Sequence, residues 1–449
     1  MNILFILPEY ASEGGGIGSF YSALLPTLAK QGVSVTAVVG SAFSDGPKSF
    51  SSSNLSIVPL DNAKALTLRS RFAALGLTPD QVGHLASAWS AWEQTEGGHG
   101  FDVVECTDWG LFFVPWLLVP SGPPLVVRLH GSEGQIAHYD PESCSLQGAY
   151  LSQLIESALL PRASLLSTLG RTNQKAWSDQ LGREVRYCPP PLAIRSSDRS
   201  HSVQCDRGLV VGRVQRWKGP ETLCRAVQLL GDQAPQIDWV GRSVTNQSTG
   251  LPYSLELAQI YPDIWGSTIF HHPSEPKKSI EHRQSSYSFI LVPSEWDVFN
   301  FTAIESMSQK AIVICSSAAG ASDLIQHGVN GFVFQSGDAH GLASLIKRVQ
   351  SISLTERQSI GDAAYATVSD LLTPTVIAPL VIQEFREALY EPRRTALSQD
   401  LLNKALSPSV SNLSPETILN CNLERLSLKV LLRHIQVRLQ RKALSFVGR

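Results

Sequence analysis

Short apolar runs alternate with longer amphipathic stretches along most of this chain. The runs NILFIL (2–7), SVTAVV (34–39), FDVVEC (101–106), LVVRLH (125–130) and SLLST (164–168) are rich in apolar residues. Strands buried on both faces of a parallel sheet read this way, whereas half-exposed strands alternate. A helix is predicted near 18–31, between the first two runs. At 188–205, CPPPLAIRSSDRSHSVQC interrupts the pattern with Pro, Ser and charge, and predicts an interdomain connection. A second series follows: GLVVGRV (208–214), QIDWVG (236–241), TIFHH (268–272), SFILVPS (288–294), AIVICS (311–316) and GFVFQ (331–335). A helix is predicted at 220–230, helices fill most of the other gaps, and 375–391 is helical again. The pattern predicts two α/β halves in tandem, each opening on a strand. The expected boundaries are 1–190, a linker at 191–207, 208–374, a helix at 375–392, and an extension at 393–449.

Composition narrows the classes. The 449 residues suggest two domains or more at roughly 100–200 residues each. A net charge of −2 gives no global basic field for nucleic acid, so any phosphate recognition is local. The 7 cysteines are scattered, odd in number and without a C-x-x-C pair. This predicts buried thiols in a reducing compartment and no zinc site. MNILFILPEY lacks a basic leader and reads as a first strand rather than a signal peptide. The apolar stretch WGLFFVPWLLVP (109–120) is shorter than the ~20 residues a membrane span needs. The expectation is a soluble cytoplasmic protein, at most peripheral to a membrane.

Two motifs carry the chemistry. In VGRVQRWKG (211–219), Arg213 and Lys218 stand at a strand's C-terminal end, where open α/β sheets bind ligands. Arg forks onto phosphate oxygens and Lys acts as a point charge, so together they offset charge on a departing diphosphate. The plainer reading is two solvated cations at a turn. In PSEWDVFNFTAIES (293–306), a strand gives way to a loop and then a helix opening near Asn300. Asn is a good N-cap, and the backbone N–H groups at Asn300, Phe301 and Thr302 make an anion site. Glu305 lies just over one turn further on, placed for a ribose diol, and Asp297 in the loop can meet sugar hydroxyls. The plainer reading is a capped helix with one surface Glu. His130 and Asp108 each stand at a strand's end, where His130 is otherwise a core residue and Asp108 either binds an acceptor hydroxyl or caps a helix. Gly15 and Gly16 in GGGIG would let backbone approach a ligand. Glu9 and Glu13 flank that loop as weaker candidates, and His271, His272 and His327 read as structural.

The two motifs, in this order and in the second half, resemble glycosyltransferase family 4, retaining transferases of the GT-B fold. The family pattern G-R-x4-K-G is met by Gly212, Arg213, Lys218 and Gly219. Its later P-S-x2-E-x7-E is met by Pro293, Ser294 and Glu305, with Asp297 in place of the first Glu. SSAAGASDLIQHGVNGFVFQSGD (316–338) resembles the family's following Gly-rich stretch, with Asp323 at a Glu position and Ala319 and Ser322 replacing Gly and Pro. Residues 8–38 resemble its N-terminal Gly loop, helix and strand, and the likeness covers about residues 1–390. It implies two Rossmann-like domains facing across a cleft, with the helix at 375–391 crossing back to the first. It further implies a UDP- or GDP-sugar donor, a glycan or lipid-linked acceptor, no metal and no cofactor. His130 would contact the sugar's 6-hydroxyl, and Arg213, Lys218, Asp297 and His130 form the implied catalytic set.

Two rivals remain at this point. A nucleotide-dependent dehydrogenase or epimerase needs its Gly fingerprint tight against strand one and an acid ending strand two. Here PEYASE intervenes and strand two runs into VVGSAF. A non-catalytic relative that binds nucleotide-sugar or glycan is the second. In the extension, Leu428, Leu431, Leu432, Ile435 and Leu439 share a helical face, with Lys429, Arg433, Arg438, Arg441 and Lys442 largely elsewhere. Such a basic amphipathic helix suits a membrane surface or a partner, or packs on its own domain. Removing 424–449 is expected to weaken binding to anionic liposomes in a flotation assay, whereas equal binding by the truncated chain assigns the helix to its own domain.

Overall fold

The computed structural model describes residues 1–10, 15–72, 77–119, 121–143, 146–194 and 205–391, with 428, 431–433 and 435–439 near the C-terminus. The first half runs β1 (Asn2–Leu7), α1 (Gly16–Lys30), β2 (Ser34–Val39), β3 (Phe50–Ser51), β4 (Leu55–Pro59), α2 (Asn62–Phe72), α3 (Pro79–Gln94), β5 (Val103–Thr107) and α4 (Val114–Leu118). It continues with β6 (Leu125–Leu129), α5 (Glu133–Tyr139), α6 (Leu146–Leu159), β7 (Leu165–Thr168), α7 (Arg171–Leu181) and β8 (Arg186–Tyr187). These strands form one sheet in the order β3-β4-β2-β1-β5-β6-β7-β8, parallel except for β3 against β4. The predicted strands at 2–7 and 34–39 are met in full. The β3–β4 hairpin was not predicted.

The second half runs β9 (Cys205–Val211), α8 (Pro220–Leu230), β10 (Ile237–Val240), α9 (Tyr253–Ile260), β11 (Ile269–His272), α10 (Lys277–Ser286), β12 (Tyr287–Val292), α11 (Phe301–Met307), β13 (Val313–Ser316) and β14 (Phe332–Phe334). Helices α12 (Ala339–Ser351), α13 (Leu354–Leu371) and α14 (Pro374–Tyr390) follow. The six strands are all parallel, in the order β11-β10-β9-β12-β13-β14. Much of the predicted linker, 195–204, lies outside the described residues.

Burial explains why these segments fold as they do. Every residue of β1 from Ile3 to Leu7 is buried, because helices cover both faces of its sheet. Helix α1 turns Phe20, Tyr21, Leu24, Leu25 and Leu28 onto it, a stripe at helical spacing. Helix α3 is buried at every position from Gln81 to Ala91, and Thr78 and Gln81 close its N-terminus in a reciprocal capping box. Within the apolar stretch, residues 110–118 are buried in the core, among them all five residues of α4. Cys106, Cys188, Cys224 and Cys315 are buried thiols, as expected, while the side chains of Cys144, Cys205 and Cys421 lie outside the described residues.

Helix α14 returns to the first sheet, packing on α1 and on β5, β6 and β7. By length and hydropathy alone, Leu354–Tyr390 is apolar enough to cross a membrane. It is broken at Leu372 and Thr373, and Ile377, Ala378, Val381, Phe385 and Ala388 of its second part are buried in the fold. At its centre Glu384 meets Arg128 of β6. The guanidinium donates to Glu105 Oε1 and Oε2 at 2.8 and 2.9 Å, to Glu384 Oε2 at 2.8 Å and to Ser167 at 2.9 Å. Tyr21 donates to Glu105 at 2.7 Å and Ser167 to Glu384 at 2.6 Å. Two carboxylates share one cation, and burial raises the pKa of Glu384 against the pull of Arg128. Replacing Arg128 by Met leaves both carboxylates without a counter-charge, and is expected to cost about 3–5 kcal/mol in urea unfolding. Glu384→Gln leaves an Arg–Glu pair and should cost less; the reverse order would contradict this account.

Candidate active site

In a parallel sheet, ligands bind beyond the C-terminal ends of the strands. Here the two sheets bring those ends together. A Cβ added at Gly131, just after β6, would lie 3.2 Å from Val298 Cγ2 in the loop after β12. Gly170 and Gly320, one from each half, both crowd the Val298 carbonyl, and a side chain on either would collide with it. Arg171 N donates to Asp323 Oδ2 at 2.9 Å, so the acid that departs from the family's Glu joins the two halves. Tyr139 at the end of α5 stacks on Trp296, with ring centroids 4.6 Å apart and planes at 8°.

Arg213 and Lys218 flank this junction in the second half. Lys218 Nζ donates to Asp297 Oδ2 at 2.5 Å and lies 4.0 Å above the Trp217 ring, and the Arg213 guanidinium lies 5.9 Å from the same ring. Trp217 in turn meets Trp296 edge-on at 5.3 Å. Burial lowers the pKa of Lys218 while Asp297 holds it up. Burial also lowers that of Arg213, helped by Arg242 and opposed by Asp297 and by Asp140 and Glu9 of the first half. The predicted cations therefore sit in a low-dielectric cleft rather than on a solvated turn.

The predicted N-cap at Asn300 is present: its Oδ1 accepts from Ala303 N at 3.3 Å. Helix α11 has only seven residues, and the Thr302 hydroxyl donates to the Val211 carbonyl at 3.3 Å, tying the helix to the strand that leads to Arg213. Glu305 is largely enclosed and paired with Lys277 Nζ at 3.1 Å. Burial raises its pKa and Lys277 opposes this. Phe301 crosses the cleft to the Gly loop. A Cβ at Gly16 would lie 3.2 Å from its ring, and one at Gly15 would lie 2.9 Å from Glu9 Oε1. The two glycines thus make room for protein side chains, and Glu9 accepts from Gly18 N at 2.9 Å at the start of α1. Glu13 lies outside the described residues.

His130 is half-buried, with Phe20 and Tyr21 rings 5.1 and 5.6 Å away. Burial and the nearby Arg128 hold its pKa well below the usual range, so the ring is neutral at pH 7. Its Nε2 is buried with no hydrogen-bond partner among the described residues. Such an atom costs stability unless a ligand satisfies it.

Asp108, read above as an acceptor contact or a cap, is 1% exposed, and its carboxylate is bonded to backbone. It accepts from Trp109 N and His130 N at 2.8 Å each and from Gly131 N at 3.1 Å. Its pKa is raised to about 7 by burial, which these bonds oppose. Asp108 shapes the loop that carries His130. His271, His272 and His327 are tied to Gly241 O, Asp238 and Val333 O, in keeping with structural roles. The sequence reading missed Trp217 and Trp296, although both stand inside the quoted motifs. It also missed Lys277, Tyr139 and Arg242, which carry no motif of their own.

Two Rossmann-like sheets whose strand ends face each other, with a last helix returning to the first, define the GT-B glycosyltransferase architecture. The family of glycosyl transferases group 1 matches residues 207–367, and the glycosyl transferase 4-like domain matches residues 15–192. The chain belongs to glycosyltransferase family 4. It is 27% identical over 194 residues to D-inositol 3-phosphate glycosyltransferase of Thermobifida fusca, covering 42% of this chain and 44% of that one. The protein of the same name from Streptomyces griseus is 26% identical over 165 residues, 35% of this chain and 34% of its own. The chain thus spans less than half the length of the curated relatives it matches. Sucrose-phosphate synthase from Thermosynechococcus elongatus superposes with a TM-score of 0.66 at 17% identity, over 87% of this chain and 100% of its own. Anabaena HepE in complex with UDP-glucose gives 0.61 at 16%, over 86% and 99%. At these identities the likeness is one of fold.

Behind His130, Glu156 accepts from Ser132 Oγ at 2.8 Å and from Gly134 N at 3.3 Å, and burial raises its pKa to about 8. The unfolded chain loses this proton near pH ~4, so the fold binds the extra proton between the two values. Stability is therefore greatest below the unfolded value and falls as pH rises toward 8, by at most about 1.4 kcal/mol per pH unit for one group. Glu156→Gln, which mimics the protonated acid, should flatten this fall in Tm; an unchanged slope would refute the assignment.

Proposed function

We propose that this chain transfers a sugar from a nucleoside-diphosphate sugar to a hydroxyl of a glycan or lipid-linked acceptor, with retention at the anomeric carbon. The observation that carries the reading is the pairing of Lys218 with Asp297, with Arg213 in the field of the same acid, in a cleft closed from the other half by the His130 loop. The diphosphate lies on Lys218 and Arg213, and Glu305, steadied by Lys277, holds the ribose. Asp297 and His130 orient the sugar, with His130 Nε2 gaining the partner it lacks.

In the transfer, the bond from the anomeric carbon to the diphosphate oxygen breaks and the acceptor oxygen bonds to the same face. The acceptor's hydroxyl proton passes to the departing phosphate oxygen. Charge grows on the diphosphate as that bond breaks, and two cations in a water-poor site stabilise it more than solvent would. Closure of the halves supplies the rest by positioning. HepE is described in complex with UDP and with UDP-glucose. A uridine donor is therefore the first to try. We place the protein in the cytoplasm, at the membrane face. In the described part of the tail, Leu428, Leu432, Ile435 and Leu439 are exposed beside Arg433 and Arg438, which suits an anionic lipid surface.

Release of UDP or GDP from a panel of donor sugars tests the reading. Lys218→Ala should cut turnover by a factor of about 100 or more, the usual scale for removing one stabiliser of transition-state charge. Its Tm should stay close to that of the wild type. Full activity in the folded variant would refute the phosphate assignment, and binding without turnover of any donor would favour a non-catalytic relative.

A further inference from the structure

Asp297 is one methylene shorter than the Glu that the family pattern places there, so its carboxylate must be held where it is needed. The backbone is fixed first. Asp297 N donates to Ala318 O, and Asp297 O accepts from Gly320 N, both at 3.1 Å. The carboxylate is then gripped on one side only. Oδ2 accepts from Lys218 Nζ at 2.5 Å and from Asn300 Nδ2 at 2.9 Å, while Oδ1 has no hydrogen-bond partner among the described residues.

Asn300 itself stands at φ +78°, a region that non-glycine residues rarely occupy, though Asn enters it more readily than most. Glycine would fit that backbone without strain and would cost an N-cap little. The backbone there is thus met by glycine as well, and what the Asn side chain adds is its two hydrogen bonds. Its Oδ1 caps α11 and its Nδ2 reaches back to the acid. Of these two bonds, only the second bears on the cleft.

We propose that Asn300 is a positioning residue of the donor site: its amide pins Oδ2 of Asp297 beside Lys218, so that the short acid presents Oδ1 to a hydroxyl of the donor sugar. The proposal rests on the donor-site reading given above. It also gives the departure at position 297 a physical partner. A Glu could reach forward by itself, whereas an Asp needs a second hand.

Asn300→Gly relieves the backbone and removes the amide, so Tm should hold or rise. UDP affinity should stay near that of the wild type, because the diphosphate cations are untouched. The preference for UDP-glucose over UDP, read as a ratio of Kd values by calorimetry, should shrink by about tenfold, as should kcat/KM, for one hydrogen bond to a charged group. That ratio does not respond to a loss of folded protein, which separates positioning from a structural role. The double variant Asp297→Glu with Asn300→Gly should recover the ratio and most of kcat/KM. An unchanged ratio in Asn300→Gly overturns the proposal, and so does a double variant that recovers nothing. A wild type that binds UDP-glucose but transfers nothing sinks only the transfer reading, since the Kd ratio is measured without turnover.

Discussion

Arg128 has no contact with water and holds a positive charge at the centre of the first sheet, and the remainder of the molecule is arranged around that constraint. A guanidinium cannot shed its proton, so the fold must bring acids to it. One, Glu105, comes from the neighbouring strand. The other, Glu384, comes from a helix 256 residues further along the chain. Satisfying Arg128 therefore draws the end of the second half back across the cleft. Phe385, beside Glu384, packs edge-on against Phe5 at 5.9 Å. The same cation lies 5.2 Å from the Phe20 ring, and Phe20 and Tyr21 wall in His130. A charge placed for architecture thus also sets the field in which His130 stays neutral.

The cleft follows a similar logic of enclosure. Its cations are desolvated and its walls are aromatic, so a charge there depends on a partner in the protein or on a ligand. Lys218 is paired with Asp297, and Glu305 with Lys277. His130 Nε2 has no partner among the described residues. Sites of this type hold their stabilising charges ready before substrate arrives, which is where electrostatic catalysis gains over water.

Much of this was legible in the sequence because burial leaves a simple signature. Strands such as 2–7 and 34–39 are covered on both faces, so their apolar runs give their limits directly. The β3–β4 hairpin was not legible, since Phe50 and Ser51 are exposed and carry little pattern. Helix α3 hides behind its small residues: GHLASAWSAW lacks a polar face because no face is exposed. In the site, Arg213, Lys218 and Asp297 were readable because two short motifs hold them. Asp108 was left between two roles because a strand-end acid can face a ligand or the backbone, and only the fold shows its bonds to the His130 and Gly131 amides. Lys277 and Tyr139 were invisible for a related reason: each meets its partner across a distance that no local pattern encodes.

The chain passes between the two halves twice, once between Ile194 and Cys205 and once at the break between α13 and α14. The second crossing makes the first half depend on chain that follows the second: its sheet is covered only once α14 has been made and Glu384 has met Arg128. Cutting the chain near Thr373 would leave that helix held to the first half by packing and the Arg128 pair alone.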